Sequence, residues 1–156
     1  VQLAFFDEKY EEDLLTFQLP KEQHQFTGLP IEVLDVSMKD EKRFPIVIVN
    51  SEEAVGFFVL HYGEDIKSFS TNPNALLLRA LSINFIHQGK GYAKMAMQQL
   101  PEFVLNNFPD INEIVLAVNE RNNGAKTLYE KTGFEDRGER RIGNIGPQYL
   151  LHYKVK

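Results

Sequence analysis

The sequence predicts an α/β fold in which one sheet carries helices on both faces. Apolar, β-branched runs of strand length alternate with stretches whose apolar residues recur every three or four positions. One of these strands runs directly into a glycine-containing loop and a further helical pattern. Short turns rich in Pro, Asn, Ser and Asp separate most of the elements. The expected order is strand, two helices, two strands, then strand–loop–helix–strand–helix, then two strands.

Gln2 to Phe6 is a short apolar strand, after which Asp7 can cap a helix whose residues Tyr10, Leu14, Leu15 and Phe17 share a face and which Leu19-Pro20 ends. KEQHQFTGLP, Lys21 to Pro30, reads as a loop of the kind that often serves substrates. Ile31 to Met38 fits strand or helix; Pro30 suits a first helical turn and the spacing of Ile31, Leu34 and Met38 favours helix. Phe44 to Val49 and Ala54 to Tyr62, joined by a turn at Asn50–Glu53, form a hairpin. After the polar stretch Gly63 to Asn74, the run Ala75 to Phe85 is a longer, mostly buried strand. A helix follows from about Gly91 to Asn106, with Pro101 expected to kink or disturb its middle turn. Glu113 to Val118 is a strand, Asn122 to Thr132 a helix stopped by Gly133, and two last strands lie near Phe134–Arg140 and Gln148–Val155.

A chain of 156 residues fits one domain, and 43% hydrophobic with 25% charged residues is the balance of an ordinary globular protein. The absence of cysteine excludes a disulfide framework, a thiolate metal site and a cysteine nucleophile, and suits a reducing, cytoplasmic setting. Apolar runs such as Ala75 to Leu78 fall far short of the ~20 residues of a membrane helix, and the first residues carry no signal pattern, so neither membrane nor secretion is expected. A net charge of −5 with scattered cations argues against a nucleic-acid groove.

The loop QGKGYA asks what must approach its backbone. A strand that feeds a glycine turn and then a helix brings several unpaired N–H groups to the positive end of the helix dipole, where anions bind. Gly89 and Gly91 admit a large anion, and a pyrophosphate is the natural occupant. The loop lacks the nucleotide-triphosphatase spacing, and Lys94 stands where a dinucleotide fold would place its third glycine. It matches Gln/Arg-x-x-Gly-x-Gly/Ala through Gln88, Gly91 and Ala93. A second block, NNGAKTLYEKTGFE, matches Asn-x-x-Ala-x-x-Leu-Tyr-x-x-x-Gly-Phe through Asn122, Ala125, Leu128, Tyr129, Gly133 and Phe134. On both blocks the sequence resembles the GNAT superfamily of acetyl-CoA-dependent N-acetyltransferases.

The resemblance implies a mixed, mostly antiparallel twisted sheet of about six or seven strands flanked by helices, with residues 1–156 as a single acetyltransferase domain. It also implies that acetyl-CoA binds without a metal, that main-chain groups of Leu81, Ser82 and Ile83 hold the pantetheine arm, and that Gln88, Gly89, Lys90, Gly91, Tyr92 and Ala93 hold the diphosphate. Lys90 and Lys94 either reach the phosphates or belong to a solvated face. Asn119 and Asn122 are placed to touch the cofactor, although Asn122 is also a sound helix cap. Tyr129 is the implied catalytic residue, a phenol of pKa ~10 that protonates the departing thiolate. The implied partner is a small-molecule or peptide amine; a homodimer through the terminal strands is compatible with the family.

The base is open, because Leu76 to Ile83 lacks the Glu that many relatives carry on this strand. His61, Glu64 and Asp65 are candidates acting through water. Arg79, inside an apolar strand, either pairs with a carboxylate of a neighbouring strand or binds an acidic group of the substrate. His24 and His87 have no second ligand at a fixed spacing that would make a metal site. Acceptor choice is expected from Lys21–Pro30, Gly63–Asn74 and the last hairpin. The rival reading is a non-catalytic acyl-CoA-binding module; transfer to oxygen or of a longer acyl group is also compatible with the sequence.

Overall fold

A computed structural model, which describes all residues from Val1 to Lys156, shows one seven-stranded sheet in the order β1-β2-β3-β4-β5-β7-β6. The strands are β1 (Gln2–Phe5), β2 (Arg43–Asn50), β3 (Glu53–His61), β4 (Ala75–Ile83), β5 (Glu113–Asn119), β6 (Glu135–Gly143) and β7 (Gly146–Lys154). Every neighbouring pair is antiparallel except β4 with β5. The sheet is therefore mixed and mostly antiparallel, with helices on both faces.

The near-continuous apolar runs of β2 and β3 have a direct cause: both faces of these strands are covered. On one face, Ile46, Ile48, Phe58, Leu60, Leu76 and Leu78 pack against α4 (Tyr92–Asn107) through Ala96, Met97, Leu100 and Val104. Tyr129 of α5 (Asn123–Lys131) and Phe134 join the same cluster. On the other face, Val47, Val49, Phe57 and Val59 meet Tyr10, Leu14 and Phe17 from the α1 segment (Glu11–Leu15) and Leu34 from α3 (Pro30–Ser37). Ser51 and Glu52 of the β2–β3 turn take φ of 50° and 70°, the left-handed pair that a two-residue hairpin requires.

Several expectations shift in detail. Asp7 caps a 3₁₀ turn, Glu8–Tyr10, ahead of the short α1, and Leu15 stands exposed instead of sharing the buried face. Part of the expected loop is helical, α2 (Lys21–His24), and the stretch from Ile31 is helix, as its spacing favoured, although α3 ends at Ser37 and Met38 is its exposed C-cap. β4 stops at Ile83, and Phe85–His87 forms a 3₁₀ turn; the chain leaves the sheet where the Asn84 side chain accepts from the Gln18 N–H. α4 continues unbroken through Pro101, because the fully buried stripe on either side of it outweighs one missing N–H donor. No helix is long and apolar enough to cross a membrane.

Candidate active site

The centre of the sheet is open. β4 and β5 pair only from Ala75↔Glu113 to Leu77↔Val115, after which the strands part. β5 keeps its register with β7 out to Asn119↔Gln148, so it is β4 that turns away. The cause lies within β4: its pairing with β3 slips between Phe57 and Val59, opposite Ala80, whose φ of 61° is a left-handed kink in a residue other than glycine. A cavity of about 1020 Å³ fills the wedge. Leu78 to Ile83 and Leu116 to Asn119 line it, leaving two strand edges with polar main-chain groups and no strand between them.

Past the end of β4 comes the glycine loop. Gly89 and Gly91 hold φ of 80° and 81°, conformations that any L side chain strains. An added Cβ at Gly89 would meet nothing within 4 Å, and at Gly91 only Met95 Cε at 3.7 Å, so the backbone conformation and the open space ahead of it, and not crowding, require glycine. Every N–H from Gly89 to Lys94 lacks an acceptor within the chain. Gly91, the α4 N-cap, offers no side-chain cap, so these donors converge at the positive end of a 16-residue helix. Gln88 lines the cavity and also braces the loop. Its N–H donates to Phe85, and its side-chain amide donates to the Ile83 carbonyl at 2.8 Å and exchanges bonds with Gln23 at 3.0 and 3.1 Å. It thus shapes the loop and ties it to α2. Tyr92 is pinned from the other side, its hydroxyl accepting from Asn50 at 3.0 Å.

Leu81, Ser82, Ile83, Gly89, Gly91, Tyr92, Ala93 and Lys94 line the cavity, as do Asn119, Asn122 and Tyr129; Lys90 does not. Ser82 is buried with its Oγ unpartnered. Asn119 accepts from the Arg121 N–H at 2.9 Å and donates to the Ile145 carbonyl at 3.3 Å, fastening β5 to the last hairpin. Asn122 caps α5, accepting from Ala125 at 3.3 Å. Tyr129 is 8% exposed, edge-on to Phe134, and its hydroxyl has no hydrogen-bond partner in the protein. Burial pushes its phenol upward from the usual range, so it stays protonated.

The cavity passes through the sheet. Leu78, Leu116 and Val118 belong to the Tyr129 face, whereas Leu77 packs on the opposite face and Arg79 follows it in the same alternation. On that second side the wall is built by Val33, Val36, Phe69, Arg43, Arg79 and Arg141. Arg79 donates to His61 Nδ1 at 3.3 Å. His61 Nε2 faces Asp40 at 3.9 Å and Asp65 at 3.7 Å, and Arg43 bonds Asp40 at 3.2 Å. With its Nδ1 lone pair taken by a guanidinium, His61 carries its proton on Nε2 and is poorly placed as a base. Burial, then Arg43 and Arg79, hold its pKa below 6.5. Neither His61, Glu64 nor Asp65 lines the cavity, and Glu64 is paired with Lys67. Asp40, His61 and Asp65 bring ligating atoms within 4.8 Å of one another, but the adjoining Arg43 and Arg79 already bond two of them and repel a cation.

Arg43 and Arg141 were not singled out in the sequence. The first opens β2 opposite His61 and the second sits on β6 opposite Gln148, and no local spacing links either to Arg79.

Comparison with known proteins bears on this arrangement. The model of the acetyltransferase (GNAT) family matches residues 6–134. A Bacillus subtilis (strain 168) protein described as uncharacterized N-acetyltransferase YbbJ is 47% identical over 154 residues, covering 98% of this chain and 96% of that protein. Among solved structures, an aminoglycoside acetyltransferase AAC(6')-Ib in complex with coenzyme A and kanamycin superposes with a TM-score of 0.76 at 21% identity, covering 97% of this chain and 93% of that one. A spermidine N-acetyltransferase SpeG chimera from Vibrio cholerae and hSSAT gives 0.71 at 17% identity, with 99% and 96% covered. At these identities the two structures attest the fold.

Proposed function

The chain belongs to the acetyltransferase (GNAT) family, and from that premise we propose how it moves an acetyl group from acetyl-CoA to a primary amine. The observation that carries the proposal is the run of unpaired N–H groups from Gly89 to Lys94, set at the mouth of a groove whose wall includes Tyr129. The diphosphate of the cosubstrate is held by these amides, where the α4 dipole and the left-handed glycines favour an anion. The pantetheine arm lies in the wedge and pairs with the free edge of β4 at Leu81 to Ile83, much as a strand would. This places the thioester where β4 and β5 part, with Tyr129 on one face of the sheet.

The acceptor enters from the other face. Its nitrogen attacks the thioester carbon directly within a ternary complex: a C–N bond forms, the C–S bond breaks, and the electron pair leaves on sulfur. Tyr129 donates its proton to that sulfur, and the proton that the nitrogen sheds on becoming an amide restores the phenol through water, so that amide and free thiol leave with Tyr129 unchanged. Burial keeps the phenol protonated in the resting protein, so it enters the reaction as a donor. An alkylammonium of pKa ~10.4 must lose a proton before it attacks, and β4 carries no carboxylate, so that proton leaves through solvent.

Thiol release from acetyl-CoA with a panel of primary amines tests the reaction. Tyr129→Phe should lower kcat by on the order of 10²- to 10⁴-fold with CoA affinity little changed. An unchanged kcat at several pH values would remove Tyr129 from the chemistry. Tight CoA binding with no thiol release from any amine would instead mark a cofactor-binding module.

A further inference from the structure

We propose that the acceptor of this transferase carries an anionic oxygen group, carboxylate or phosphate, and that Arg79 and Arg141 seat it on the side of the sheet away from Tyr129. The inference rests on the transferase reading above and names the acceptor class it leaves open.

Arg79 is half-buried in an apolar strand, lines the cavity, and makes its hydrogen bond to a neutral imidazole, His61, at 3.3 Å. It has no carboxylate partner; Asp40 and Asp65 lie against the far nitrogen of His61. Arg141, also in the wall, lies over the Phe69 ring with its guanidinium carbon 4.1 Å from the centroid. Its Nε bonds Ser68 Oγ at 3.3 Å and its Nη1 bonds Gln148 Oε1 at 2.9 Å, again neutral partners. Arg43 lines the same wall and is the one of these arginines that has an acid, Asp40. Burial and the charges of Arg43 and Arg141 all lower the Arg79 pKa from its ordinary value. Like charges thus converge on this wall, and two of the three, the half-buried Arg79 and Arg141, have no counterion, an arrangement that a bound anion relieves.

The neutral partners also fix the geometry. Phe69, Ser68 and Gln148 hold Arg141 flat while its Nη2 remains free, and His61 fixes Arg79 in the same manner. Planar forks held in this way suit carboxylate or phosphate oxygens. The diphosphate of the cosubstrate is not the anion in question. At a strand's rise of ~3.3 Å per residue, Arg79 lies roughly 13 Å back along β4 from Ile83, and the free amides lie beyond Ile83. The acids that do line the cavity are Glu22, next to the Gln23 that binds the glycine-loop residue Gln88, and Glu32, exposed on α3; neither pairs with these arginines.

The test is thiol release with matched pairs: glutamate and other amino acids against their amides, phosphoethanolamine against ethanolamine, and spermidine and kanamycin as polycations. The acid-bearing member is expected to win by on the order of 10- to 100-fold in kcat/KM, and which pair shows the gain tells carboxylate from phosphate. Arg79→Gln and Arg141→Gln should each raise KM for that acceptor while kcat and CoA affinity hold. Arg141 is the safer site for folding, being on β6 and half exposed. Preference for the polycations, or a KM that neither substitution moves, overturns the proposal. Should no amine release thiol, the transferase reading falls separately, and calorimetry with the same pairs still decides the anion site: equal binding of acid and amide rejects it.

Discussion

Gly91→Ala probes the amide cup at its most exacting point. Gly91 holds φ 81° and ψ 13° as the N-cap of α4, and an L residue in that region costs about 1–2 kcal/mol. The new methyl would touch only Met95 Cε, at 3.7 Å, an ordinary contact, so backbone strain is the whole penalty in the free protein. That strain has two outlets. If the loop keeps its shape, the melting temperature falls by roughly 2–8 °C for a chain of this size. If the loop relaxes, the N–H groups disperse and CoA binding must restore them, weakening affinity by about 5- to 30-fold. The two losses, from thermal unfolding and from calorimetric titration with CoA, should together account for the strain. Acetyl-pantetheine, which lacks the diphosphate, should bind with unchanged affinity. An unchanged melting temperature together with unchanged CoA affinity would show that the left-handed turn is not required. Equal weakening of both ligands would show that these amides do not hold the diphosphate.

Two further outcomes follow from the same geometry. Ser82→Ala removes a buried hydroxyl without a partner, so it should leave CoA affinity unchanged and stability equal or raised by up to ~1 kcal/mol in urea unfolding; a tenfold loss of CoA affinity would make the hydroxyl, and not the main chain, the ligand. The protein should also lose stability in mild acid through His61. Its folded pKa lies below 6.5, so between that lowered value and 6.5 the unfolded chain binds the additional proton. The His61 contribution is therefore complete above about 6.5 and fades as pH falls, and urea midpoints at pH 7.5 and 5 should differ less in His61→Gln than in the parent.

What the sequence made legible was what neighbours along the chain decide. The strands showed themselves because β2, β3 and β4 bury both faces and so admit almost no polar residue. The glycine loop and Tyr129 showed themselves because their residues fall within two short blocks. Contacts between distant segments stayed hidden. Nothing in KEQH announces a helical turn, since its anchor is an amide pair between Gln23 and Gln88, 65 positions apart. Which of His61, Glu64 and Asp65 faces the cavity was hidden for the same reason: none lines it, and Arg79 occupies His61.

Arg79 shows how the visible and hidden parts join. In the sequence it is an anomaly, a guanidinium within LLLRALSI, and a strand buried between two neighbours could not hold it without a carboxylate. It is tolerated because β4 loses β5 after Leu77, just before Arg79, and the Ala80 kink carries the strand further away. The wedge that exposes main-chain groups of β4, where the pantetheine arm is proposed to lie, therefore also gives a charged side chain room and solvent on the opposite face. Filling that wedge, for instance by a substitution that restored a regular β4 at Ala80, would remove the cofactor's strand edge and the arginine's tolerance together. On the proposed reading one distortion thus serves two substrates, and the side chain most at odds with its own strand lies beside it.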